Sequence, residues 1–533
     1  MLKSSILEKA PRVFMSHFAR SSLIVAFFFG IDKILAFVRQ LIVNRQFGLS
    51  YELDAFNAAN NIPDLLGALI SGGALGVALI PVLSEYLETK GRKEAWELFA
   101  RVLNLAFLVT GAIAAIILVL APVLVSRVIA PGFPDEQQAL TVSLMRWDLI
   151  AIMIFSLSGL VMAGLQANQH FLLPALAPAL YNIGQIFGAA YLAPQGRFEL
   201  GPFIFPEGLG LGIHGLVLGV IFGSALHLLI QVPGLIRFGF KWRPVLGLFA
   251  PGMSNVLKLL GPRIVTKFFI FMFFIVRDNL ASSMGEGAVT ALNLGWFIMQ
   301  VPETLLGTAI AITLLPTIAE LFAKEDYDGF RDAANHAVRG MLALTIPAAL
   351  LLAIGIRPLV EIAFGFDPAD VDRVVLATRI YLLGMTGHAL LEIASRSFYA
   401  RQDAITPLWA SALNAGSYVV LAFFLASTMG FAGIALANSI VFTTEAVLLL
   451  WLLNRAYPGL FQVGNTIWRV VIGAGLAAIS LLLILRFIPL NEVILSVGGM
   501  LLGILLVLPF IWPELLLMLK LGSKSTTSIE ATD

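Results

Sequence analysis

Stretches of about twenty predominantly apolar residues recur from one end of this chain to the other, and no other feature limits its fold as much. That length is what an α-helix needs to cross the hydrocarbon of a bilayer. Inside lipid every backbone N–H and C=O must be satisfied within the protein, so only helices and closed barrels span. Barrel strands alternate apolar and polar residues, and no such alternation runs through this sequence. Fourteen candidate spans begin near residues 21, 57, 98, 140, 172, 211, 256, 288, 333, 374, 406, 431, 464 and 492. Of the 533 residues only 13% are charged, against about 25% in a soluble domain, and the mean hydropathy is +0.91. The expectation is an all-α polytopic membrane protein with about 14 transmembrane helices.

The remaining composition narrows function by exclusion. A net charge of +1 argues neither for nor against nucleic acid, but no basic arm appears and no nucleic-acid partner is expected. The absence of cysteine removes disulfides and thiolate metal sites. Residues 1–20, "MLKSSILEKAPRVFMSHFAR", lack a signal-peptide core, so the first span is expected to direct insertion. Lys and Arg beside the spans set orientation. Twenty fall on the side shared by the two termini; Arg45, Arg127, Arg197, Arg373 and Arg486 fall on the other. Both termini are therefore expected in the cytoplasm.

Two stretches echo each other. "NIPDLLGALISGGALGVALIPVLSEYL" (61–87) resembles "QVPETLLGTAIAITLLPTIAELF" (300–322), with Pro63, Pro81 and Glu85 matching Pro302, Pro316 and Glu320. The proline spacing differs by four residues, close to one helical turn, which preserves facing. "ANQHFLLP" (167–174) returns as "ARQDAITP" (400–407), and Pro122 as Pro358. The chain therefore reads as two pseudo-symmetric six-helix lobes plus two C-terminal helices. The boundaries are a segment 1–20, an N-lobe 21–236, a linker 237–255, a C-lobe 256–455, two added helices 464–520 and a disordered tail 521–533. Lobes repeated in the same orientation suggest a cavity at their interface and alternating access by rocking.

Charges inside the spans are the candidate functional residues. In "GIDKILAFVRQ" (30–40), Asp32 and Arg39 are seven apart and share a face, while Lys33 lies about 100° around. A charge at the bilayer centre costs roughly 2.5–3.5 kcal/mol and normally faces a cavity or a partner. Two readings stand side by side: an Asp32–Lys33–Arg39 ion cluster that fixes packing, or a cationic cavity lining for an anionic substrate. Two cations against one acid favour the second. The seventh span repeats the theme, with Arg263 and Lys267 four apart and therefore on one face. Arg263 also reads as a residue that snorkels to the interface. Arg277 with Asp278 reads either as a gate or as a plain ion pair. Arg146, Asp148, Arg379, Glu392 and Arg396 lie near span ends and read as structural. Glu445 is deep enough for a proton or cation, though a hydrogen-bonded structural role fits better.

"GLGIHG" (210–215) matches a nucleotide-binding pattern but follows no strand, so nucleotide binding is rejected. Gly215, Gly219 and Gly223 carry the small-xxx-small spacing of close helix packing, as do Gly72 and Gly76. No metal-ligand cluster, Walker motif or nucleophile–base arrangement occurs, so neither an enzyme nor an ATP-driven pump is expected, and neither cofactor nor metal.

"VRQLIVNRQFGLSYELDAFNAANNIPDLL", "GGALGVALIPVLSEY" and "FYARQDAITP" resemble the MurJ/MviN family of lipid II flippases, part of the multidrug/oligosaccharidyl-lipid/polysaccharide exporter superfamily. The resemblance covers nearly the whole chain. It implies a bacterial inner-membrane protein with a cationic cavity that carries lipid II, a polyprenyl-diphosphate-linked peptidoglycan precursor, from the cytoplasmic to the outer leaflet. A role in cell wall biogenesis and cell shape follows. Lipid II and membrane lipids would be its partners, with cell-wall synthesis proteins as further candidates.

Position by position, the family's two first-span arginines fall on Lys33 and Arg39. The aspartate before "AF" is Asp54, and the asparagine after "IP" falls on Asp64, both as gate or portal candidates. The pattern departs at Gly67 and Phe297, where the family has arginines, and at Gly72 and Gln300, where it has acids. Lys267 or Arg263 is expected to supply the missing charge. The alternatives are a flippase for another lipid-linked oligosaccharide, a small-molecule or multidrug antiporter of the same superfamily, and a scaffold subunit without transport. An antiporter for cationic drugs needs an acidic cavity, which Lys33 and Arg39 oppose.

Overall fold

The computed structural model describes residues 17–70, 74–247, 251–460 and 462–530. Most of the expected segment 1–20, part of the linker 237–255, Gly72 and residues 531–533 lie outside the described residues. Twelve helices among the described residues are long and apolar enough to cross a membrane. α1 (His17–Phe47) comes first. The second expected span arrives in pieces, α2 (Tyr51–Ala59), α3 (Asn61–Ile70) and α4 (Ala74–Thr89). α5 (Arg92–Leu124) ends in a π turn, Val125–Ile129, and α6 (Asp135–Ala167) follows. Next come α7 (Leu172–Phe187) and a hairpin, β1 (Arg197–Leu200) with β2 (Phe203–Glu207). α8 (Ile213–Leu229) and the short α9 (Val232–Arg237) close the first half.

The second half opens with α10 (Met253–Ala281). α11 (Ala288–Glu303) and α12 (Ala309–Ala323) are joined through a π turn at Thr304–Thr308. α13 (Tyr327–Phe364), α14 (Pro368–Ala400), α15 (Ile405–Met429) and α16 (Phe431–Ala456) complete the copy. α17 (Gly464–Phe487) and α18 (Glu492–Glu530) are the appended pair. Five helices, α7, α11, α16, α17 and α18, begin at the residue the apolar pattern marks. Three features differ from expectation. The second span divides at Asn60 and the eighth passes through a π turn, the connection before α8 carries an antiparallel hairpin, and α18 continues to Glu530, so 521–530 is helix where a disordered tail was expected. Pro513 is the last proline, and beyond it every residue can donate the next helical hydrogen bond.

The duplication is visible in the backbone as well as in the letters. Gln169 and Gln402 occupy the same place in "ANQH" and "ARQD", and both have positive φ, 59° and 61°. Gly91 before α5 and Glu325 before α13 do the same at 87° and 57°. Gly212 (φ 56°, ψ −141°) and Gly430 (φ 63°, ψ −145°) launch α8 and α16 from a region that only glycine enters without strain. The π turn of the eighth span begins two residues beyond Pro302. A proline removes a helical N–H and crowds the carbonyl four residues back.

The chain forms two compact units whose boundaries interleave. One holds residues up to 43, 66–116 and 147–263; the other holds 44–65, 117–146 and 264–533. They do not coincide with the lobes expected at 21–236 and 256–455. The reason is long-range hydrogen bonding, described below, that ties 44–65 and 117–146 to the second half.

In the first unit Leu79, Leu83, Phe99, Leu160 and Leu165 form the buried centre. α7, with the π turn Gly188–Leu192 that follows it, meets α8 along glycines: a Cβ on Gly188 would stand 2.6 Å from the Gly219 Cα, and one on Gly223 would stand 2.5 Å from the Tyr181 carbonyl oxygen. This is the close packing expected of Gly215, Gly219 and Gly223.

In the second unit α14 packs against α13, α16 and α12 around Phe330, Met341, Ile393 and Leu449. α17 and α18 are held on α13 by Ala343, Leu351, Val470, Leu481 and Val507. A polar clasp reinforces them. The fully buried Glu514 accepts from Arg339 at 3.0 Å, Arg469 at 2.5 Å and Thr466 at 2.9 Å. A buried carboxylate without such donors would carry a large desolvation cost. The other faces of α17 and α18 expose Trp468, Ile479, Leu483, Leu501 and Leu505, the surface a helix offers to hydrocarbon.

Candidate functional site

In the first unit the charges of α1 meet α7. Asp32 accepts a hydrogen bond from the Asn182 side chain at 2.8 Å. Its second oxygen stands 4.0 Å from the Lys33 ammonium, at the outer limit of an ion pair. Lys33 keeps 55% of its side chain exposed and lies 4.9 Å over the Phe29 ring. The acid is thus held by an amide, and the cation is not locked to it. Arg39, two turns along, is half-buried. α7 also buries two amide atoms without a partner, the Asn182 Oδ1 and the Gln185 Nε2. Buried polar atoms of this kind ordinarily meet water or a bound group. Arg263 is half-buried with its Nη1 unpartnered.

In the second unit the gate candidates form a dense network. Asp54 is fully buried and accepts from the Gly287 and Thr290 backbone N–H groups, each at 2.7 Å, and from the Thr290 hydroxyl at 2.6 Å. Gly287 is the N-cap of α11 in a left-handed conformation, φ 81°. A carboxylate from a distant helix therefore caps α11 at its positive end. Asp278, also fully buried, accepts from Asn61 at 2.7 Å and from Arg277 at 2.8 Å. Arg277 donates on to the Asn293 side-chain Oδ1 at 2.6 Å and packs on Phe274. Around this centre Arg45 donates to the carbonyls of Ala363 and Ile362. Gln137 donates to the Tyr51 carbonyl and the Ser282 hydroxyl accepts from Gly132. Asn279 donates to the Val128 carbonyl. These bonds are what draw 44–65 and 117–146 into the second unit.

Of the four gate candidates, Asp54, Arg277 and Asp278 belong to this network. Asp64 is exposed in the first turn of α3. A cavity of about 490 Å³ adjoins Arg277 and is lined by Gln300, Glu303, His388, Glu392 and Glu445 among others. Glu445 accepts from Ser411 at 2.7 Å and from Asn414. Arg396 pairs with Glu392 at 3.0 Å. Arg146 and Arg379 donate to the Leu118 and Ala353 carbonyls. Lys267, half-buried on α10, is not among that cavity's lining. Phe297 packs beside Leu49 and Val374, and Gln300 lines the cavity.

Sequence reasoning found the acids and missed their donors. Thr290, Asn61, Asn182 and Asn293 are ordinary polar letters within apolar runs. Only the glycines at 285 and 287 hinted at a special turn.

Two six-helix copies that carry charges and amides within an apolar bundle define a membrane transport protein of the repeated-lobe kind. The family model described as "Lipid II flippase MurJ" matches residues 43–506, and the chain belongs to that family. It is 28% identical over 398 residues to the lipid II flippase MurJ of Burkholderia cenocepacia, covering 73% of this chain and 74% of that protein. Its fold is similar to a solved structure of the lipid II flippase MurJ in an inward closed conformation. The TM-score is 0.77 at 23% identity, over 92% of this chain and 97% of that one. An inward-facing multidrug resistance MATE transporter is also similar in fold, with a TM-score of 0.67 at 14% identity, over 81% and 98%.

Proposed function

We propose that this protein carries lipid II across the membrane by alternating access, with both termini in the cytoplasm. One observation carries the reading beyond family membership: Lys33 holds a cation inside an apolar span with over half its side chain exposed, while the neighbouring acid is engaged by Asn182. A diphosphate needs cations that are not already neutralised, and a point charge such as Lys meets phosphate well. The family resemblance puts a second cation at Arg39, half-buried on the same helix. The unpartnered Asn182 Oδ1 and Gln185 Nε2 suit hydroxyl-rich sugars. The network around Asp54 and Asp278 acts as the closure on the outer side, which must open once per cycle. Lys267 or Arg263 on α10 supplies the positive charge that Gly67 and Phe297 lack. No covalent step is required of any residue.

The test is rescue of a bacterium depleted of its own lipid II flippase. Wild-type protein restores growth; Lys33→Ala/Arg39→Ala, made to the same level in the membrane, does not. Full rescue by the double variant would remove the cation role. A Lys267→Ala variant with undiminished rescue would remove Lys267 from it separately.

A further inference from the structure

A second cationic site lies in the first unit, away from the α1 charges. The first turn of α5 and the chain leaving α9 enclose a hollow of about 340 Å³. Arg92, Lys93, Arg237, Lys241 and Arg243 line it, and all five are exposed. The one acid in the lining, Glu97, is taken by Arg101 at 2.5 Å. Among the described residues no ion pair neutralises any of the five. His170 packs against Phe238 at 5.7 Å, and burial first and the Arg237 charge second hold its pKa below the ordinary value. It stays neutral at physiological pH and leaves the charge to the five.

The positive-inside rule would explain cations here as a solvated flank. Such a flank needs charge and no shape. This segment is built into a fixed shape. The Phe238 carbonyl accepts from Trp96 at 3.1 Å, and the Arg243 and Val245 carbonyls accept from Asn104 at 2.7 and 2.9 Å. Trp242 donates to the other end of that amide at 2.9 Å. Phe240 is wedged between Trp96 and Phe99 at ring distances of 5.5 and 5.0 Å. Gly239 makes the turn at φ 83°. Holding five like charges around one hollow costs self-repulsion, which an anion relieves. Three guanidinium forks match phosphate oxygens, and the first turn of a 33-residue helix adds its N–H groups and dipole. Beside the hollow Trp242, Leu246 and Ile236 are 57–63% exposed, an apolar shoulder of the kind found at headgroup level.

We propose that the hollow between the first turn of α5 and residues 237–243 binds a phosphate-bearing anion, either an anionic lipid headgroup or a soluble phosphate. The inference is independent of the transported substrate and its test is a binding measurement. Full-length protein in neutral detergent is titrated with dioctanoyl phosphatidylglycerol, dioctanoyl phosphatidylcholine and inorganic phosphate, with tryptophan fluorescence and native mass spectrometry as readouts. Glutamine variants are used because acidic ones could disturb insertion. Wild type binds phosphatidylglycerol in preference to phosphatidylcholine, and Lys93→Gln/Arg243→Gln binds it about tenfold more weakly. Phosphate that fails to compete identifies the lipid source; phosphate that competes fully identifies a soluble one. The proposal is overturned if wild type binds neither anion. It is equally overturned if Lys93→Gln/Arg243→Gln, or the separate Arg92→Gln/Lys241→Gln, elutes and unfolds like wild type and binds undiminished.

Discussion

A fully buried carboxylate must be answered by donors, and Asp54 is answered by three from the start of α11. Taking the carboxylate away leaves two backbone N–H groups and a hydroxyl buried without partners. Asp54→Ala is therefore expected to cost about 3 kcal/mol and to lower the apparent Tm in detergent. Asp54→Asn keeps an acceptor and should cost less than half as much. Equal losses in the two variants would mean that the acid's charge, not its hydrogen bonds, matters. Gln402 makes the opposite case. A side chain at φ 61° is strained, and glycine relieves the strain at some entropic cost. Gln402→Gly is expected to keep or raise the apparent Tm, by an amount worth up to about 1 kcal/mol. A clear loss would show that the Gln402 side chain contributes a contact larger than the strain.

At the scale of elements, glycine spacing carried true information. Three glycines four apart predict a helix that another backbone can approach, and α7 does so, with Gly184 and, in the π turn that follows, Gly188 facing α8. In lipid, helices associate by such packing, because the surrounding chains are as apolar as leucine. Gly223→Leu drives a side chain into the Tyr181 backbone and should destabilise by about 2–3 kcal/mol. Gly475→Ala on α17 meets open space and should gain about 0.5–1 kcal/mol. If both variants melted alike, the close contact would carry no weight. Span starts were legible for a related reason: apolar runs and the prolines and glycines that bound them are local signals. The breaks within the second and eighth spans were harder to read. Pro63 and Pro302 read as matched positions of the repeat, and whether a helix near a proline kinks, gains a π turn or separates depends on what receives the freed carbonyls.

For the whole molecule, the repeat was readable because two copies of one sequence keep the same turns, down to Gln169 and Gln402. The grouping into units was not, because Asp54 to Thr290 and Asn61 to Asp278 are bonds across more than 200 residues, and no local pattern encodes them. Orientation stands between these cases. Lys and Arg counts argue for it, and the fold alone is the same either way up. The chain has no cysteine, so a single introduced thiol is a clean reporter. Glu199→Cys sits exposed in β1 of the hairpin. Asp328→Cys sits at the start of α13, where the native side chain is 82% exposed and gives up only a surface pair with Arg331. Twenty cations against five put the hairpin outside and the start of α13 inside. A membrane-impermeant maleimide added to intact spheroplasts should label Glu199→Cys and leave Asp328→Cys untouched until the cells are lysed. The reverse pattern would invert the topology and place the Asp54 closure on the cytoplasmic side.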